Sequence, residues 1–158
     1  MSTSRILLVG QAPSKKVTPA LDASTPGSAS SRLLALMDIT RDEYMDTFSR
    51  VNLIDYWPGA LASGRGDKFP KKEAQDSARR ILAQFQYPWR ILCVGLRVGE
   101  CFLHKSRLTY YEWKLCASNF PPAVRDVAVI PHTSGLNRYW NDPSNVKLAE
   151  GFLRNIRI

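Results

Sequence analysis

The sequence predicts an α/β fold in which a parallel sheet is covered by helices on both faces. Three observations carry that reading. Short apolar runs recur at Arg5 to Gly10, Val51 to Ile54, Arg90 to Val94 and Val127 to Ile130. They are apolar almost throughout, as strands buried on both faces are. Stretches of helical periodicity separate them, and strands alternating with helices imply parallel connections. A length of 158 residues suits one domain, residues 1–158, that buries roughly two-thirds of the surface of its unfolded chain.

Taken in order, Arg5 to Gly10 reads as a buried strand closed by a glycine turn. Gln11 to Ser28 is a loop rich in Pro, Ser, Thr and Lys. Ser30 or Ser31 can cap a helix running to about Ile39, with Leu33, Leu34, Leu36 and Met37 on its apolar side. Thr40-Arg41-Asp42-Glu43 is a capping box that opens a second short helix to about Ser49. Val51 to Ile54 is the next strand, and Tyr56 to Pro70 a loop punctuated by Gly59, Gly64 and Gly66. Lys71 to Phe85 is the clearest helix, because Ala74, Ala78, Ile81, Leu82 and Phe85 fall on one face. Arg90 to Val94 is a third strand, followed by Gly95 and a short helix to about Leu103. Leu108 to Cys116 is aromatic and ambiguous, an extra strand being one reading. After the strand Val127 to Ile130, Ser144 caps a terminal helix in which Val146, Leu148, Ala149, Phe152, Leu153 and Ile156 face inward.

Composition narrows the function classes. Lys and Arg number 22 against 14 Asp and Glu, a formal charge of +8. That excess favours a polyanionic partner such as nucleic acid. No apolar run approaches the roughly 20 residues of a membrane span, and the N-terminus lacks a signal-peptide pattern. Cys93, Cys101 and Cys116 are not spaced as a zinc or iron–sulfur set, so reduced thiols in a cytoplasmic protein are expected, with no metal and no cofactor.

In open parallel sheets the functional crevice lies beyond the carboxyl ends of the strands. Three segments there carry chemistry. In Gly10-Gln11-Ala12-Pro13-Ser14, glycine permits close approach of a ligand and proline stiffens the turn. Asn52 places an amide inside an apolar strand, where it can read a carbonyl and an N–H of a base edge. In Pro131-His132-Thr133-Ser134-Gly135-Leu136-Asn137-Arg138, His132 can stabilise an oxyanion, Arg138 can meet phosphate and Leu136 can wedge between bases. Bland roles are open for each: a strand-to-helix turn, an amide tying loops together, a loop-bonded histidine.

Together these segments resemble the uracil-DNA glycosylase superfamily, over about residues 5–156. The resemblance implies a three-layer α/β/α sandwich around a central four-stranded parallel sheet. It also implies a monomer that binds DNA, single- or double-stranded, and flips a base into a pocket at the strand ends. By this likeness His132 stabilises the oxygen of the leaving base. Gly10, Ala12, Pro13 and Asn52 line the base, and Ser134, Gly135, Leu136, Asn137 and Arg138 contact the strand or fill the gap the base leaves.

The chain also departs from the family pattern. Ala12 stands where some members carry an Asp or Asn that positions water, although other branches have Ala. Gln11 can orient water, and Asp22 and Asp55 are substitute carboxylates. Tyr56 or Trp57 takes the place of the usual stacking phenylalanine, and His-Thr-Ser replaces the commoner His-Pro-Ser. The basic loop with Arg65, Lys68, Lys71 and Lys72 is a candidate backbone grip. The leading expectation is a glycosylase that hydrolyses the N-glycosidic bond of uracil or a modified pyrimidine. Two competing classes are a noncatalytic nucleic-acid-binding protein on the same fold and an enzyme of free modified nucleotides or nucleosides.

Overall fold

The computed structural model describes residues 6–13, 20–23, 28–84, 90–117, 124–134 and 137–156. Its elements are β1 (Ile6–Gly10), α1 (Ala29–Met37), α2 (Arg41–Thr47), β2 (Phe48–Asn52), α3 (Lys71–Gln84), β3 (Arg90–Val94), α4 (Leu96–Gly99), β4 (Lys114–Ala117), β5 (Val124–Ile130) and α5 (Pro143–Arg154). The strands form one sheet in the order β2-β1-β3-β5-β4. The pairs β1–β2, β1–β3 and β3–β5 are parallel, and β4 pairs antiparallel with β5. The four parallel strands match expectation. The fifth, β4, corrects the strand count and resolves the aromatic segment before it: Tyr110 bridges Val129, and the Tyr111 amide donates to the Val129 carbonyl at 3.0 Å.

Alternate residues of each central strand serve opposite layers. Leu8, Leu92, Val94, Ala128 and Ile130 pack with Leu33, Leu36 and Met37 of α1 and Ala149 and Leu153 of α5. Leu7, Val9, Ile91, Cys93, Val127 and Val129 pack with Ala74, Ala78 and Ile81 of α3 and Val98 of α4. The layering is therefore α/β/α.

The ends of several elements shift for identifiable reasons. Ser28 caps α1, its hydroxyl accepting from the Ser31 amide at 3.2 Å; the buried Ser30 hydroxyl accepts from Ala23 N instead. The Thr40–Glu43 capping box forms as expected. β2 starts three residues before the expected Val51, because α2 ends at Thr47 and Phe48 packs its ring, tilted by 46°, against Tyr44, ring centroids 5.5 Å apart. Beyond the buried Phe48, β2 is only half-buried, as an edge strand is, so no apolar run announces its start. Asp142, not Ser144, caps α5, accepting from the Ser144 amide at 2.9 Å, with Pro143 in the first turn. Leu148 is 59% exposed and faces outward, about 100° round the helix from the buried Ala149. Phe85, which was expected on the apolar face of α3, lies outside the described residues.

Candidate active site at the strand ends

The parallel register sets the first half of the site. Gly10, the last residue of β1, pairs with Asn52, the last of β2. Pairing continues past the strands: the Leu53 amide donates to the Gly10 carbonyl and the Ile54 amide to the Gln11 carbonyl, both at 3.0 Å. A Cβ on Gly10 would overlap Oδ1 of Asn52 and lie 3.1 Å from Cδ1 of Leu21. Glycine here makes room for the Asn52 amide and for the 20–23 loop, whose Leu21 walls the end of β1. Asn52 and Gln11 are half-buried, and neither carboxamide makes a hydrogen bond among the described residues. Ala12 packs against the α3–α4 side of the core, and Pro13 is half-buried beside it.

The second half is built on β5 and β3. The chain leaves β5 through the buried Pro131 and reaches His132. The Gly95 amide donates to the Ile130 carbonyl at 2.8 Å, and a Cβ on Gly95 would stand 3.4 Å from Cδ2 of His132. The His132 backbone is pinned twice through its carbonyl, by Nδ2 of Asn137 at 2.7 Å and Nε1 of Trp140 at 2.8 Å. Nδ1 of His132 accepts from the Ser134 amide at 3.2 Å. A neutral imidazole held this way carries its proton on Nε2, which is left as a donor toward a ligand. Burial lowers the pKa of His132; Asp67 opposes that shift, and Arg97 adds to it. The neutral form therefore prevails at neutral pH.

Other expected residues occupy varied places. Asn137 uses both ends of its amide inside the loop, since its Oδ1 also accepts from the Tyr139 amide at 3.1 Å; it braces His132. Ser134 is half-buried and Arg138 exposed, while Gly135 and Leu136 lie outside the described residues. The Tyr56 hydroxyl donates to Glu73 of α3 at 2.7 Å, leaving the ring 46% exposed. Asp22 sits toward α2: its backbone carbonyl accepts from Arg41 Nε at 3.0 Å, and its charge acts on Tyr44. Asp55 is exposed. The Thr133 hydroxyl is fully buried with no hydrogen-bond partner among the described residues.

Sequence reasoning gave Asp67, Phe69 and Arg97 no role of their own, although Asp67 and Phe69 lie in the basic loop and the segment 95–97 follows a strand. Asp67 bridges Ala60 across the glycine-punctuated loop after β2, where the Lys68 amide donates to the Gly59 carbonyl at 2.8 Å. Arg97 lies two residues beyond Gly95, over the Phe69 ring. The signal available was position: both segments follow the carboxyl ends of strands.

Comparison with known proteins assigns no family. No protein-family model matches the chain, and no curated protein matches it significantly.

No metal-binding group of histidine, cysteine and acidic side chains occurs among the described residues. Burial raises the thiol pKa of all three cysteines, Cys101 to about 11, so they are protonated and poor ligands or nucleophiles at neutral pH. No helix among the described residues is long and apolar enough to cross a membrane. A shallow groove of about 470 Å³ lies between α1 and α2, lined by residues such as Leu34, Asp38 and Glu43; it contains none of the strand-end polar groups.

Proposed function

We propose that this chain is a cytoplasmic, monomeric DNA glycosylase-like enzyme that hydrolyses the N-glycosidic bond of uracil or a modified pyrimidine flipped out of DNA. One observation carries the reading. The carboxamides of Gln11 and Asn52 and the Nε2 of His132 have no internal hydrogen-bond partner among the described residues, and all three lie at the carboxyl ends of parallel strands. Polar groups held at strand ends, free of internal partners and still open to solvent, are available to bond a ligand.

In this reading the Asn52 amide presents a donor and an acceptor to the base edge. The C1′–N bond breaks with its electron pair passing to the base. Nε2–H of His132 donates to the base oxygen where negative charge collects; a neutral imidazole does this without first losing a proton. Water, oriented by Gln11, bonds to C1′ and gives its proton to solvent. The base anion takes one from solvent after release. Asp67, the carboxylate whose charge acts on His132, supports the positive charge developing on the sugar.

A second reading, a noncatalytic DNA-binding protein, is favoured by Ala12, which puts an apolar side chain into the core where an acid would position water. Base release from oligonucleotides containing uracil or modified pyrimidines separates the two. His132→Ala is expected to slow release by about 10²–10³-fold, the usual loss for one oxyanion donor. Salt-sensitive DNA binding by the folded protein, with no release across the panel, would leave only the second reading.

A further inference from the structure

Two arginines flank the His132 loop from opposite layers of the sandwich. Arg32, on α1, lies over the Trp140 ring, with Cζ 5.5 Å from its centroid. The same indole N–H donates to the His132 carbonyl. Arg97, on α4, lies over the Phe69 ring with Cζ at 5.9 Å. It stands two residues from Gly95, which abuts the His132 imidazole, and its charge acts on that imidazole. The two helices cover different faces of the sheet: Leu33 of α1 belongs to one apolar cluster and Val98 of α4 to the other.

Each guanidinium is thus backed by an aromatic face, which orients it while leaving its donors unused. Among the described residues neither forms an ion pair or a side-chain hydrogen bond. Arg41, Arg50 and Arg154 instead donate to backbone carbonyls, and Arg79 pairs with Asp76. Arg90 also lies over a ring, that of Trp113 at 3.7 Å, but it opens β3 at the end of the sheet away from His132. Asp67 shares the Arg97 side of the site but makes no ion pair with it. Two oriented forks of unused donors, in a chain of net charge +8, fit the oxygens of phosphate.

We propose that Arg32 and Arg97 form a two-point phosphate clamp, the DNA strand crossing the His132 loop with one phosphate held on each side of the flipped nucleotide. The proposal rests on the DNA-directed reading above and adds the path of the strand. It is independent of whether the bond is cleaved.

The test is equilibrium binding of a duplex carrying a tetrahydrofuran abasic-site analogue, followed by fluorescence anisotropy over a series of KCl concentrations. Arg32→Ala and Arg97→Ala are each expected to reduce the slope of log K against log[KCl] by about one, and the double variant by about two. Arg32→Lys and Arg97→Lys keep the charge, so the slope stays while binding weakens with loss of the fork. Arg79→Ala, on the outer face of α3, leaves the slope unchanged. Thermal melting checks that each variant is folded; where an alanine variant is not, the lysine variant is read by weakened binding at constant slope. Unchanged slopes in the folded alanine variants, undiminished binding by the lysine variants, a response at only one arginine, or no binding by the wild-type protein overturns the clamp. Wild-type binding with the expected slope losses but no base release overturns the hydrolytic reading and leaves the clamp standing.

Discussion

Cδ2 of His132 stands 3.4 Å from the point that a Cβ on Gly95 would occupy, and Gly95 has φ +104°. The contact and the backbone conformation act together. Gly95 N–H continues the β3–β5 ladder to Ile130, so the turn that must be glycine is also the surface against which the imidazole rests.

Gly95→Ala therefore acts through the backbone. With ψ at 150°, this φ lies in a region open essentially to glycine alone, and occupying it costs about 1–3 kcal/mol. The new methyl itself meets the imidazole at ordinary van der Waals distance. Thermal denaturation should show the stability loss, while single-turnover base release by the folded protein should stay near the wild-type rate. An unchanged melting temperature would contradict the conformational argument.

The pH dependence follows from His132. Burial holds its folded-state pKa below the unfolded value of about 6.5. Its contribution to stability is thus fully present above pH 6.5. As pH falls below 6.5 that contribution is progressively lost, because the unfolded chain binds the proton more readily. The acid limb of activity should track the same group. Asp67 raises the His132 pKa and Arg97 lowers it, so Asp67→Asn is expected to move the acid limb to lower pH. Histidine chemical shifts titrated by NMR would report that shift in the free protein. A limb that stays put or moves upward would refute the assignment.

Two substitutions in the His132 loop should have opposite outcomes. Asn137→Ala removes the bond to the His132 carbonyl and the bond from the Tyr139 amide. It should cost about 1–2 kcal/mol in denaturant unfolding and slow base release by loosening His132. Thr133→Val replaces a buried hydroxyl that has no partner among the described residues, so stability should hold or rise. A clear loss with valine would show that the hydroxyl binds a buried group.

The central sheet was legible because β1, β3 and β5 are buried on both faces and therefore leave apolar runs. The β2 start and β4 were obscure for one physical reason. Both strands are edges, where half-buried side chains such as Ser49 and Arg50, or the 59%-exposed Leu115, need not be apolar. Site residues divide in the same way. Gly10, Asn52 and His132 belong to compact motifs at strand ends. Asp67 and Arg97 follow strand ends, which is a positional signal, but their approach to His132 depends on how a glycine-rich loop and one turn of helix fold. Asn137, which the family resemblance implied as a DNA contact, also braces the His132 loop, a role only the tertiary structure reveals.

The strand order β2-β1-β3-β5 has a metrical consequence. Asn52 and His132 extend strands separated by two others, so three inter-strand steps of about 4.8 Å lie between their backbones. The opening is about 14 Å, set by the hydrogen-bonded rungs of β1 and β3. A molecule that touches both side chains is measured by a caliper whose jaws are loops and whose frame is the sheet. Buried residues such as Leu8 and Leu92, which touch no ligand, hold that gauge to size.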